Sequence, residues 1–510
     1  MVVAVSEKIH WADVFAAKVD PEISHRIATG ITPSGPIHIG NMREVVTGDL
    51  VYKGMRDRGL DVELIYIADD FDPLRKVYPF LPQDYAQYIG RPLCDIPCPC
   101  GECENYAEHF LAPFLAALDV MDVHPHVIRA SREYRGGSYT REISRVIEKR
   151  EEIKEILERV SHRALPDTWS PFYPICEDCR RISNAEILAF DPEAHKVRYR
   201  CECGHIGEVN YAKGEGKLVW RVDWPMRWAH FGVTVEPFGK DHAAAGGSYD
   251  TGKEIAEAIF QYRAPFPVMY EWISLKGRGA MASSTGVAVT INAMLEIVPP
   301  DVLRYLIART KPEKAIDFDP GMGLLSLIDE FDRVAQAGES REYEFSSITG
   351  IESVIPFRHM VTVVQIARDE KGVLEILERS GYAIRNREGV LAAAHRARIW
   401  IERYAPDFVK FEVQETLPSS ALEPDANERY ALGVLAARYM ALDDWSAERL
   451  HNAVYEVGKE TNVDPKQIFT AVYLSILGQK RGPRLGWFLE ALGRDFVVGR
   501  LMEAVNAGTE

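Results

Sequence analysis

Apolar positions along the chain change their period several times, and each change predicts a different element. Ile27 to Ile31 is a short apolar run that enters a turn-rich segment, Thr32-Pro33-Ser34-Gly35-Pro36. Met42, Val45, Val46, Leu50 and Met55 then recur at spacings near 3.6, which predicts an amphipathic helix. Gly59 closes that helix, and Val62 to Ala68 reads as a buried strand ended by Asp69-Asp70. Strand, helix and strand in this order form the building unit of a parallel sheet.

From about Arg91 to Gly216 the texture changes to pairs of Cys, Pro and Gly around a charged helical stretch, Thr140 to Arg163. This reads as an insertion. Strand-like sequence returns at Leu218-Val219-Trp220-Arg221-Val222-Asp223-Trp224. It continues through Gly239-Lys240-Asp241-His242, a helix over about Gly252 to Tyr262, and Val268-Met269-Tyr270. After Ile291 the pattern is helical, as in Val390 to Ala394 through Trp400-Ile401. Pro299-Pro300 marks a hinge, and a second boundary falls near Ile348 to Ile355. The expected division is 1–90 and 217–298 as two halves of one sheet domain, 91–216 as the insertion, 299–350 as a connecting helical region and 351–510 as an all-helical domain.

Composition narrows the class. The 510 residues are 46% hydrophobic and 27% charged, with no low-complexity tract, so sizeable cores are available. A net charge of −16 counts against a broad polyanion-binding face but leaves room for a local basic patch. Met1 to Ala17 lacks the uninterrupted apolar core of a signal peptide, and no window reaches membrane-spanning length. A soluble, cytoplasmic protein without membrane contact is expected. Seven of the eight cysteines lie in two tight clusters and Cys94 stands alone, a distribution that suits metal ligands better than disulfides.

Three constellations carry chemistry. Thr32 to Asn41 joins the first strand to the first helix, where free N–H groups of a helix N-terminus suit phosphates. His38 and Asn41, three apart, share one face of the first turn, and Gly40 leaves room for a flat base to approach the backbone. At Gly239-Lys240-Asp241-His242 a carboxylate can accept both ribose hydroxyls, and Lys240 or His242 can approach phosphates or a substrate carboxylate. The small-residue stretch Lys276 to Gly286 can fold over phosphates with backbone and hydroxyl donors.

In this order the elements resemble the signatures of class I aminoacyl-tRNA synthetases. His38-Ile39-Gly40-Asn41 matches the "HIGH" element with Asn41 in place of the second His. Asn can donate a hydrogen bond but carries no charge, so His38 takes the stronger role. Ala280 to Ser284 matches the "KMSKS" loop with both lysines absent, and Lys276 or Arg278 would have to supply the charge. The run Trp220 to Trp228, together with Ser248 to Lys253, is similar to the lysyl branch of the archaeal type, and the likeness covers Arg26 to Asp319 well.

The resemblance implies a Rossmann-type α/β catalytic domain with a zinc-binding insertion, followed by an all-α anticodon-binding domain. It places catalysis on His38, Asn41, Lys240, His242, Met281, Ser283 and Ser284. ATP would lie against Thr32, Pro33, Ser34, Gly35, His38, Gly40, Asn41, Gly239, Asp241 and Met281, with magnesium accompanying it. Lysine would meet Gly30, Thr32, Trp220, Asp223 and His242, with its ammonium on Glu44 and Tyr270. The expected partners are ATP, L-lysine and tRNA(Lys), and a monomer is favoured. A buried ammonium needs a carboxylate and further acceptors, and Glu44 on the first helix can face the cleft. A glutamate-specific relative would want a cation there. A non-catalytic tRNA-binding paralogue would explain the missing loop lysines.

Cys176-x2-Cys179 followed by Cys201-x-Cys203-Gly204-His205 reads as a structural zinc ribbon, with His205 a rival for one place. Cys98-x-Cys100-x2-Cys103 with His109 is a second possible zinc set. Near the C-terminus Lys480, Arg481 and Arg484 stand beside Trp487 and Phe488, a mixture of cations and aromatic faces that can hold unpaired bases.

Overall fold

A five-stranded parallel sheet places the functional elements. Its parts are β1 (His25–Ile31), α1 (Ile39–Asp57), β2 (Val62–Ala68), β3 (His126–Arg129), α2 (Trp220–Phe231), β4 (Val235–Gly239), α3 (Ser248–Phe260) and β5 (Phe266–Tyr270). The strand order is β5-β4-β1-β2-β3. All neighbours run parallel, with Ile27 opposite Leu64 on one side and Val235 on the other. The chain therefore builds outward from β1 to β3, then returns past β1 to build β4 and β5. The reversal opens a crevice between the carboxyl ends of β1 and β4, where ligands of open parallel sheets bind. The computed structural model describes residues 9–182, 185–276, 279–280, 289–338, 340–348 and 355–507.

The helical pattern of α1 holds. Met42, Val45, Val46, Leu50 and Met55 are all buried, each contributing roughly 1.5–3 kcal/mol of apolar burial. Arg43 and Asp49 are buried as well, because polar partners meet them from the far side of the helix. The Arg43 guanidinium donates to the carbonyls of Glu271, Trp272, Lys311, Pro312 and Lys314, which pins the segment after β5 to α1. Arg304 reaches Asp49 at 2.6 Å and the carbonyls of Met121 and Phe345.

Two sequence expectations need correction. Leu218 to Trp224 is not a strand: Gly216–Leu218 is a short strand paired with Phe172–Pro174, and α2 begins at Trp220. Trp220, Trp224 and Trp228 are four apart, so they share one helical face, and their β-like composition masked that period. The stretch Thr140 to Arg163 is two helices, Thr140–Glu148 and Arg150–Ser161, broken at Lys149. The insertion also carries an antiparallel three-stranded sheet, Glu186–Asp191, Lys196–Arg200 and Ile206–Asn210.

The chain divides into two compact units. One comprises Met1–Leu295, Pro300–Phe318 and Glu339–Thr349; the other comprises Glu296–Pro299, Asp319–Gly338 and Gly350–Glu510. The second unit is helical, with a core that includes Leu432, Leu435, Val454, Ile468 and Leu489. Its buried Arg500 collects the carbonyls of Gln414, Glu415, Thr416 and Ser475. Among the described residues no helix is long and apolar enough to cross a membrane.

Candidate active site

The turn after β1 delivers His38 to the start of α1 as its N-cap. The Gly40 N–H donates to His38 Nδ1 at 3.1 Å, and the His38 N–H donates to Asn41 Oδ1 at 3.4 Å. These reciprocal bonds satisfy two of the donors that a helix start leaves open. They also fix chemistry. With Nδ1 accepting, the ring proton sits on Nε2, and burial lowers the imidazole pKa to about 4. His38 is therefore a neutral donor at the crevice rather than an imidazolium. Asn41, its carbonyl oxygen engaged, keeps its amide N–H2 for a ligand. A Cβ at Gly40 would come within 2.8 Å of the His38 ring, so the glycine makes room for that ring itself.

Two further contacts frame the phosphate end. Tyr106 donates its hydroxyl proton to the Ser34 carbonyl at 2.7 Å, holding the Thr32 to Pro36 turn from the insertion side. The chain returns to α1 after residue 288, where His38 bridges to Thr290 and the Ile39 N–H donates to the Val289 carbonyl. Met281, Ser283, Ser284 and Arg278 lie outside the described residues.

Beside β1 and β4 a narrow cavity of about 70 Å³ is lined by Gly30, Glu44, Asp69, Trp220, Trp224, Glu236 and His242. Glu44 is its central group. Gly30 N–H donates to one carboxylate oxygen at 2.9 Å and the Tyr270 hydroxyl donates to the other at 2.7 Å. Burial raises the Glu44 pKa to about 7; the two hydrogen bonds oppose that rise, while Asp69 and Asp241 add to it. Trp220 stacks on Trp224 at 5.2 Å, and His242 leans on both rings, its pKa lowered by burial. An apolar wall with an uncompensated carboxylate at its end suits an aliphatic chain that ends in a cation.

Asp223 takes another place. It accepts from Tyr134 and Arg227, both at 2.6 Å, and lies 3.6 Å from Lys217. Arg227 also holds Asp69 at 2.5 Å, and Lys217 pairs with Asp72, which accepts from Thr32 at 2.9 Å. The structure thus sets Thr32 and Asp223 into a buried ion network beside the cavity. Sequence reading passed over Asp72, Lys217, Arg227 and Glu236, whose partners are 4 to 158 positions away in the chain. At the end of β4, a Cβ on Gly239 would meet the Asp241 carboxylate at 2.5 Å, so the carboxylate folds back over the glycine. Lys240 is exposed and pairs with Glu271 at 2.8 Å.

The cysteines gather as two groups that could each hold a metal ion: Cys98, Cys100, Cys103 and His109, and Cys176, Cys179, Cys201 and Cys203. Within the first, sulfur separations are 3.0 and 3.8 Å and His109 Nδ1 lies 3.4 Å from Cys98. Within the second, Cys176 to Cys203 is 3.7 Å and Cys179 to Cys201 is 3.8 Å. His205 instead faces Glu177 at 3.4 Å. Cys94 is apart from both groups, its thiol pKa raised by burial.

In the helical unit, Arg484 and Trp487 line a cavity of about 530 Å³ with Arg358, His359 and Phe408. Among the described residues neither ring nitrogen of the buried His359 has a hydrogen-bond partner. Lys480 is tied to Glu423 at 3.2 Å on the surface, and Phe488 is fully buried.

Two families match the chain: residues 9–351 fit tRNA synthetases class I (K), and residues 405–505 fit an anticodon binding domain. A lysine–tRNA ligase of Methanosarcina acetivorans is 50% identical, with 98% of this chain and 99% of that protein covered. A lysine–tRNA ligase of Archaeoglobus fulgidus is 46% identical over 98% of this chain and all of its own length. Among solved structures, a glutamate tRNA ligase of Elizabethkingia meningosepticum aligns with 95% of this chain and 99% of its own at 12% identity and a TM-score of 0.49.

Proposed function

The chain belongs to the class I (K) tRNA synthetase family, and from that premise we propose that the crevice between β1 and β4 activates L-lysine with ATP for transfer to tRNA(Lys) in the cytoplasm. The observation that carries this reading is the Glu44 carboxylate, hydrogen-bonded to Gly30 and Tyr270 and without a basic partner among the described residues. A lysine side chain would run along Trp220 with its ammonium on Glu44. A glutamate side chain would bring a second anion to Glu44, and the one cation of the cavity wall, Arg227, is committed to Asp69 and Asp223.

Two steps follow. A carboxylate oxygen of lysine attacks the α-phosphorus of ATP, and pyrophosphate leaves to give lysyl-adenylate. The terminal ribose hydroxyl of tRNA then attacks the adenylate carbonyl; it loses its proton and AMP leaves. His38 would donate from neutral Nε2 to a phosphate oxygen as charge builds there, with Asn41 as a second donor. Asp241 would accept the ribose hydroxyls, and His242 would sit over the lysine carboxylate end. Lys240, exposed beside the crevice, would reach the phosphates after leaving Glu271. Met281, Ser283 and Ser284, outside the described residues, would act over the phosphates on this reading. Most of the acceleration comes from holding the reactants in line. Magnesium would travel with ATP on its phosphate oxygens and neutralise their charge.

The Cys176 group fits zinc, and the Cys98 group offers a matching donor set of three thiols and an imidazole with Cys98 and Cys100 closer, at 3.0 Å, than a tetrahedral zinc would hold them. Zinc–sulfur distances of about 2.3 Å in a tetrahedron give sulfur separations near ~3.8 Å, which the Cys176 group matches at 3.7 and 3.8 Å. Four filled positions make these structural sites. Arg484 and Trp487 would take an unstacked base of the tRNA, with Lys480 and Arg481 near its backbone.

Pyrophosphate exchange with tRNA present, run over a panel of amino acids, tests the reading. Lysine alone should support exchange, and the same chain should charge tRNA with lysine. Equal exchange with glutamate, or tRNA binding without any exchange, would refute it.

A further inference from the structure

Glu236 has no part in the chemistry described so far, yet it lines the same cavity as Glu44. It is the second residue of β4 and is only 8% exposed. Its carboxylate accepts from the indole N–H of Trp224 at 2.6 Å and from that of Trp228. Both donors are neutral, and among the described residues no lysine, arginine or histidine forms an ion pair with it. Holding an anion in an apolar wall without a cation costs several kcal/mol. The neighbouring strand positions, Val235, Pro237 and Phe238, are apolar, as a buried strand requires.

We propose that Glu236 is a second specificity-determining residue for the substrate's side chain, an indole-held carboxylate that makes the cavity a two-anion receptor which only a cationic side chain neutralises. This rests on the lysine reading above. Glu236 has no ion-pair partner among the described residues, so it keeps a proton in the free cavity, and the incoming ammonium would supply the countercharge as that proton leaves. The two indoles fix the carboxylate, and the same rings carry the stack that Trp220 presents to the substrate.

The charged and titratable groups that face Glu236 agree with this. Glu44 comes from α1, Asp69 from the end of β2, His242 from the turn after β4 and Tyr249 from α3. Among the described residues that line the cavity, Arg227 of α2 is the one strong base, and it pairs with Asp69 and Asp223. Burial raises the Glu236 pKa to about 8, with Glu44 adding to the rise and the two indoles and the more distant Arg227 charge opposing it. Glu44 is raised to about 7. Near neutral pH the free cavity therefore carries protons on its carboxyls. Lysine arrives with its ammonium intact, and those protons pass to solvent.

The test measures the KM for lysine in pyrophosphate exchange from pH 6 to 8.5, with tRNA and ATP saturating. In the wild-type chain, lysine affinity should rise with pH in two steps, near 7 and near 8, as each carboxyl loses its proton. Glu236→Gln should raise the KM for lysine about tenfold while the KM for ATP stays within about twofold, and the upper step should vanish. Trp228→Phe keeps the charge and removes one donor to the anion, so it should move the upper step to higher pH. A purely structural role for Glu236 would leave that midpoint in place. A wild-type KM and pH profile in Glu236→Gln overturns the proposal, as does an unmoved upper step in Trp228→Phe. Should Glu236→Gln fail to fold, Trp228→Phe decides alone. If the wild-type chain shows no lysine dependence, it is the lysine reading that fails, not the assignment to Glu236.

Discussion

Buried carboxylates occur in two settings in the sheet unit, and the contrast between them is informative. Asp69, Asp72 and Asp223 are met by Lys217 and Arg227, with Thr32 and Tyr134 filling remaining lone pairs. Glu44 and Glu236 receive only neutral donors. The first group is compensated and serves as structure: it ties the strand before α2, α2 itself, the end of β2 and the turn after β1 together. The second group has no ion-pair partner among the described residues, and on the proposed reading the substrate would bring a positive charge to it. Asp70 is likewise buried with only neutral donors, the N–H and hydroxyl of Ser131, but it lies outside the cavity, so a missing cation marks a receptor only where the carboxylate also lines that cavity.

The largest effect should come from stripping the compensated group of its cation. Arg227→Leu leaves Asp69 and Asp223 buried without their guanidinium and should cost about 3–5 kcal/mol in urea denaturation. If the cost is below about 1 kcal/mol, the network is not the scaffold described. Next, His38→Ala should lower kcat for pyrophosphate exchange about a hundredfold and leave lysine binding intact, because its donor acts on charge that develops in the reaction. Because burial lowers the His38 pKa to about 4, His38 should contribute no step to the wild-type kcat between pH 5.5 and 8.

Glu44→Gln sharpens the contrast from the other side. It should raise the KM for lysine some ten- to a hundredfold. Its effect on stability should have the opposite sign. Glu44 is raised from 4.5 to about 7 in the folded state, so it favours folding below pH 4.5 and loses that contribution as pH rises through 7. Relative to wild type, the variant should therefore be more stable at pH 8 than at pH 5 by about 2 kcal/mol in the absence of lysine. The smallest effect belongs to Lys480→Ala, whose surface pair with Glu423 is worth under about 1 kcal/mol. It should change the KM for tRNA less than threefold, and Trp487→Ala should change it more.

Much of this was legible in the chain alone. A helix period in Met42 to Met55 following Ile27 to Ile31 specifies the first β-α-β unit, because each pattern buries a face in one register only. His38, Asn41 and Glu44 could be placed because they lie within two helical turns of one another. The cysteines were legible from their spacing. Trp220 to Trp224 misled because indole-rich sequence favours strands by composition, while its period of four belongs to a helix. The ion network and Glu236 were hidden for a different reason. Apart from Arg227 and Asp223 within α2, their partners sit on separate elements, as Lys217 and Asp72 do at a separation of 145 positions, and only the folded sheet brings them together.

The central claim is that Glu44 waits for a cation. A structure of the chain with lysine and a non-hydrolysable ATP analogue tests it most directly. The ε-ammonium should lie within about 3 Å of a Glu44 oxygen, with the aliphatic chain along Trp220. An ammonium left in open solvent, or a Glu44 still closed on Gly30 and Tyr270 with the side chain bound elsewhere, would contradict it.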